Sequence, residues 1–239
     1  MLLKTQGIVI SSIKYRDTDL IVKCYTKSHG SISFMVKGVL KSKKGKFRSS
    51  MFQILSLIDI EMQYRNKGQL EYFKEVRSLH PLNNLQGNVY KSAIAMFLAE
   101  VLKSVIFEEE QNEKLFKFIQ RSILHLDQSD NFANFHLSFL IKLSAFIGFS
   151  PHLPENGNDI YFNLYEGYFE DLESKYTMTA ENSNLLKQLI EVDLDKNHKI
   201  KMNKTQRLDL LKLLMSYYEL HIESFKNPKS LSVIESVFS

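Results

Sequence analysis

The hydrophobic period of the chain changes once, near residue 80, and that change constrains the fold more than any other feature. Period two belongs to strands buried on one face, and period 3.6 to amphipathic helices. Residues 7–13 are β-branched and bounded by turn residues. Residues 19–25 follow a polar turn, and residues 31–37 place Ile32, Phe34 and Val36 on one face. Residues 52–64 read as a long strand in which Ile54, Ile58, Ile60 and Met62 share a parity. After a turn at 65–68, residues 69–76 read as a fifth strand. The connections are too short for the crossovers that parallel strands need, so the sheet is expected to be antiparallel. Five such strands suggest a small OB-fold barrel, and a compact or SH3-like barrel of other topology fits the strand count nearly as well.

From Leu85 the period is helical. Val89, Tyr90, Ala93, Phe97, Val101, Leu102 and Val105 line one helix face, and Leu115, Phe118, Ile119 and Ile123 a second. Phe132, Phe135, Phe139, Leu140, Leu143 and Ile147 line a third helix, ending near Gly148 with Pro151 beyond. Leu208, Leu211, Leu214, Tyr218 and Ile222 line a long helix near the C-terminus. The expected organisation is α+β: an antiparallel barrel over residues 1–80, then an all-α domain over residues 81–239 with an irregular insert at about 150–180.

Charge divides at the same place. Of the net +4, residues 1–80 carry +9 and the remainder −5. The first part therefore needs an anionic partner far more than the second. Its densest stretch is residues 37–48, with six basic residues in twelve and no acid. Such clusters neutralise phosphates and release condensed counterions. Lys37, Lys41, Lys43, Lys44, Lys46 and Arg48 are the candidate contacts there, with Lys14, Arg16 and Lys23 as secondary ones. A solvated loop is the plain alternative for a bare basic run. Phe47, set among charges, is the candidate for stacking on bases, whereas Phe34 belongs to the core by its alternation.

Other chemistries find no foothold in the sequence. Cys24 is the only cysteine, so no intramolecular disulfide or multi-thiolate zinc site can form. The seven histidines fall at no metal-ligand spacing, and no GxSxG, P-loop or GxGxxG occurs. The acidic run at 108–110 reads as a solvated helix end. With no uninterrupted apolar stretch of about 18 residues and no signal-peptide pattern, the chain is expected to be soluble, cytoplasmic, free of membrane and not an enzyme.

These residues, in this order, resemble the RecO family of bacterial recombination and repair mediators. The match runs through GIVI at 7–10, KYRDTDLIV at 14–22, YTKSHG at 25–30, VKGV at 36–39 and the basic stretch. It resumes at Arg207, at residues 210–214, at YELH over 218–221 and at KSL over 229–231. No one motif is specific; order and spacing across almost the whole chain carry the likeness. The resemblance implies an N-terminal OB-fold and a helical domain. It also implies binding to single- and double-stranded DNA, annealing of complementary strands, and help in loading the recombinase RecA onto strands coated by single-strand-binding protein in the RecF pathway. RecR and the acidic C-terminal tail of the single-strand-binding protein are the implied partners.

The tail would need an apolar floor with a basic rim. Arg207 and Lys212, near Leu208, Leu211 and Met215, are the candidates. Many relatives carry a four-cysteine zinc motif after the segment that here reads IGFSP at 147–151. No cysteine follows it, so zinc is not carried over, and Tyr161, Phe162, Leu164, Tyr168 and Phe169 are expected to hold that region by packing. The competing functions are an RNA-binding OB module with a helical adaptor, and a hydrolase or transferase that uses the helical domain.

Overall fold

In the computed structural model, which describes residues 1–41, 46–65, 69–106 and 111–238, the alternating runs form β1 (Leu2–Tyr15), β2 (Asp19–Thr26), β3 (Gly30–Val36), β4 (Leu57–Gln63) and β5 (Phe73–Ser78). They make an antiparallel sheet in the order β3-β2-β1-β4-β5. β1 serves both halves, pairing with β4 from Leu2 to Ile8 and with β2 from Gly7 to Tyr15. A register shift between Val9 and Ser11 lets it bend from one partner to the other, since an extra residue in one strand kinks and twists a ladder. Gly7 lies in both ladders, and a Cβ there would meet Ile60 Cδ1 at 2.5 Å. The edges of the sheet are joined through Glu71. Its N–H donates to the Ser33 carbonyl and its own carbonyl accepts from the Met35 N–H, each at 2.9 Å. Inside lie Val22, Ile32, Phe34, Ile58, Ile60 and Met62. The chain is therefore α+β, with an OB-fold-like five-stranded antiparallel sheet followed by helices.

The expected strand over 52–64 is shorter than its parity suggests. Ser49–Phe52 form a 3-10 turn, and Leu55 adopts a left-handed φ of 61°. The Leu55 N–H donates to Val9 O at 2.8 Å, and the Val9 N–H to Ser56 O at 3.0 Å. The chain is thus pinned against the bulge of β1 before β4 begins, and Ile54 leaves the buried row. The fifth strand begins at Phe73 rather than 69, because Glu71 is engaged by β3. The expected turn at 65–68 lies outside the described residues except for Arg65.

Met1–Asp127 forms one compact unit and Gln128–Ser239 a second. With the sheet, the first takes in α1 (Asn83–Gly87), α2 (Val89–Val105) and nearly all of α3 (Glu113–Gln128). α2 packs on β1. The Tyr25 hydroxyl donates to Asn112 O at 3.3 Å, its ring lies 6.1 Å from that of Phe116, and Lys27 pairs with Glu113 at 3.3 Å. Ala93, Phe97, Val101 and Leu102 are buried as their spacing implies. Val89 and Tyr90 are not, because they form the exposed first turn that Asn88 caps.

The second unit contains α4 (Phe135–Phe146), a two-residue hairpin of β6 (Tyr161–Phe162) and β7 (Phe169–Glu170), α5 (Ala180–Glu191), α6 (Lys204–His221) and α7 (Leu231–Val237). α4, α5 and α6 pack on one another. The Tyr218 hydroxyl donates to Leu140 O at 2.7 Å and that of Tyr217 to Phe149 O at 2.8 Å. α4 starts at Phe135, so Phe132, expected within it, precedes the helix.

Candidate nucleic-acid interface

The turn after β1 and the turn after β3 are tied together by one carboxylate. Asp19 Oδ1 accepts from the Gly38 N–H at 2.8 Å and from the Thr18 hydroxyl at 2.9 Å, and the Leu40 N–H donates to Thr18 O at 2.9 Å. Gly38 presents its N–H from a φ of 67°, which favours glycine. Arg16 stands on the first turn, with Lys14 two residues before it near the end of β1, and Lys37 and Lys41 stand on the second turn; all four are exposed. Asp19 titrates below the usual aspartate value. The Gly38 N–H is the largest cause, then the Thr18 hydroxyl, with the charges of Arg16 and Lys37 adding to it. Cations from two turns well separated in sequence thus share one end of the barrel, arranged around a buttressing acid.

Aromatic rings stand among these cations. The Arg16 guanidinium lies 5.3 Å from the Tyr15 ring centre. Tyr72, 41% exposed, has Lys37 at 5.4 Å and Arg65 at 6.0 Å from its ring. Neither tyrosine is among the candidates that the sequence suggests. Tyr72 reaches the cluster only through the Glu71 bridge, which no local pattern announces, whereas the exposed turn beside Tyr15 is a signal that could have found it. The stacking candidate Phe47 is instead half-buried, edge-on to Phe52 and Phe73 at 6.2 Å from each, and packed on the barrel core. Its flanking residues Lys46 and Arg48 are exposed. Lys23 projects from the outer face of β2, as its parity requires, but it is half-buried there. Burial, and next the charge of Lys103 on α2, lower its pKa. Lys43 and Lys44, like the acidic run at 108–110, lie outside the described residues.

Residues 1–82 match the family model described as Recombination protein O N terminal, and residues 86–231 the one described as Recombination protein O C terminal. The chain is 46% identical over 239 residues to the DNA repair protein RecO of Christiangramia forsetii, with the whole of both chains covered. It is 40% identical to that of Flavobacterium psychrophilum and 41% identical to that of Bacteroides fragilis, again over the whole of each. The chain belongs to the RecO family of DNA repair proteins.

Of the five residues expected to offer an acidic tail its apolar floor and basic rim, Arg207 lines a cavity. Leu211 and Met215 are buried in the core of the second unit. Spaced by four along α6, they follow its inward face. Lys212 is exposed and pairs with Glu235 of α7 at 3.4 Å, and Leu208 is half-buried. Arg207 lies beside a cavity of about 660 Å³ with Phe132, Ile200, Lys201 and Met202 on its walls. Its Nε donates to Asn134 Oδ1 and its Nη2 to Met202 O, both at 3.0 Å. The same guanidinium, after burial itself, holds the fully buried His136 down to about 3.

The hairpin after α4 is held by fewer rings than expected. Phe162 meets Phe169 at 5.2 Å and Tyr217 at 5.6 Å, while Tyr168 is exposed. Asn163 adds a polar clasp, donating to Glu170 Oε1 and accepting from the N–H groups of Tyr165 and Glu166. Among the described residues no cluster of three or more His, Cys, Asp or Glu is placed to hold a metal, and no helix is long and apolar enough to cross a membrane.

Proposed function

We propose that this RecO-family chain is a non-catalytic recombination mediator that binds single- and double-stranded DNA at the basic end of its barrel. In this reading it anneals complementary strands and helps to load RecA onto strands coated by single-strand-binding protein, as part of the RecF pathway. RecR and the acidic tail of the single-strand-binding protein are its partners, and it works in the cytoplasm on nucleoid DNA. The observation that carries the reading is the tie that Asp19 makes between two cation-bearing turns, which brings Arg16 and Lys37 to one acid, with Tyr15 and Tyr72 exposed beside them and Lys14 and Lys41 exposed on the adjoining residues. Lys46 and Arg48 are exposed, and Lys43 and Lys44 belong to the same basic run in sequence. Phosphates take the cations and unpaired bases take the ring faces.

The tail is assigned to the Arg207 cavity. Phe132, Ile200 and Met202 supply apolar walls, and Arg207 and Lys201, against the single acid Asp130, the positive charge that an acidic, apolar-ended peptide requires.

The test is annealing and DNA affinity across a salt series, for the wild type and for a variant with Lys14, Arg16, Lys37 and Lys41 all changed to Glu. The variant is expected to lose annealing, and the slope of log affinity against log salt to flatten by about one unit for each phosphate that is no longer neutralised. Unchanged affinity and slope would remove the barrel end as the DNA site. RNA of matched sequence competing as well as DNA would favour an RNA-binding module instead.

A further inference from the structure

Within the first unit, a cavity of about 580 Å³ opens between the 3-10 turn Ser49–Phe52 and helices α1 and α2. Ser49, Ser50 and Gln53 stand on one side, Gln86 and Met96 on the other, and the buried Phe52 contributes to the wall. None of the residues lining it is ionisable. That neutrality stands out against its surroundings, because the exposed Arg48 directly precedes Ser49 and the exposed Lys46 lies two residues earlier. The positive charge stops at the mouth of the cavity.

The side chains of Ser49, Ser50, Gln53 and Gln86 form no hydrogen bond with another described residue. They offer uncharged donors and acceptors beside apolar surface. A charged ligand would lose its hydration there without meeting a counter-charge, which is costly. A flat, uncharged heterocycle with amide-like edges would satisfy both kinds of surface, and the volume lies within the usual range for small-molecule sites.

We propose that this cavity receives one unpaired nucleobase of a strand whose phosphates are held by Arg48 and Lys46. This rests on the DNA-binding reading above and adds a subsite that only single strands can use. A duplex keeps its bases stacked and would have to unpair one to fill the cavity.

The experiment measures the affinity of the full-length protein for three probes: a single-stranded oligonucleotide, the same strand built of abasic sugars, and a duplex. Ser50 is exposed, so S50W blocks the mouth without entering the core; Q86W blocks it from the opposite side should S50W fail to fold. Wild type is expected to bind the normal single strand about tenfold more tightly than either blocked variant, in line with the loss of one seated base. Affinity for the abasic strand and the duplex should stay within about twofold. A photo-reactive uracil in the normal strand should crosslink to residues 49–53 or 86–96. Equal losses on all three probes, no loss on any, or crosslinks confined to other segments would overturn the base subsite while leaving DNA binding intact. Failure of the wild type to bind any probe would overturn the DNA-binding reading itself.

Discussion

Asp19 makes charge and position separable at the basic end of the barrel. If the site were only a cloud of positive charge, removing its acid would strengthen DNA binding. If the site depends on holding two turns in register, losing the acceptor for the Gly38 N–H should weaken it. D19A is therefore expected to bind DNA more weakly than wild type despite its higher charge. D19N keeps an acceptor oxygen and should bind at least as well as wild type; titrations at fixed salt would decide. The pH dependence follows from the same bond. A carboxylate whose folded pKa lies below its unfolded value stabilises the fold above the unfolded pKa and loses that contribution as pH falls through the folded one. His136 acts over a higher window. Burial, and then Arg207, lower it from 6.5 to about 3, so between those values the unfolded chain takes up a proton that the folded chain refuses. Stability should fall on acidification through that window by up to about 1.4 kcal/mol per pH unit. Urea titrations at pH 7.5 and pH 5 should show a smaller loss for H136F than for wild type. The cations at this end are legible in the sequence, but the acid that orders them is not, because its partner lies nineteen residues away.

At the level of elements, the alternation of β3 can be read directly, because it buries one face against the core, and β2 follows the same rule over most of its length. β1, on which α2 packs, is buried on both faces from Gly7 to Ile10, so no alternation announces it. The stretch before β4 misleads because parity assumes a continuous strand. At Leu55 the chain takes a left-handed turn to bond with the bulge of β1, and that constraint comes from a strand far earlier in the chain. The same non-local pairing hides Tyr72. Glu71 is drawn to β3 by two backbone bonds, which carries the next residue to Lys37. Phe47 misleads for the converse reason: its charged neighbours are solvated while its own ring covers Phe52 and Phe73. Y72A is accordingly expected to weaken single-strand binding by at least about fivefold, the lower end of what one stacked base provides. F47A is expected to lower thermal stability with a smaller effect on binding per folded molecule. Thermal melts and fluorescence anisotropy on the two variants would separate the roles, and equal binding losses would refute them.

Across the whole molecule, the change of hydrophobic period marks where secondary structure changes, not where packing divides. The family models meet between residues 82 and 86, and the charge changes sign near the same place. The first compact unit nevertheless runs to Asp127. Its helices are bound into it by side chains that the barrel cannot bury alone. Tyr25, almost fully buried, is bonded to Asn112 and meets the ring of Phe116, while Lys23 is half-covered near Lys103 of α2. The Leu85 N–H donates to Asp127 Oδ1, and the buried Lys91 ammonium to Asp127 O, so even the end of α3 is anchored to α1 and α2. A fragment of residues 1–127 should therefore fold cooperatively. A fragment of residues 1–80, which leaves Tyr25 and the outer face of β1 in water, should be less stable by at least about 2 kcal/mol, the order expected from exposing one buried aromatic side chain. Urea unfolding of the two fragments measures this directly. Equal stabilities would mean that the helices only rest on a self-sufficient barrel, and the cavity beneath α1 and α2 would then lose its rigid wall.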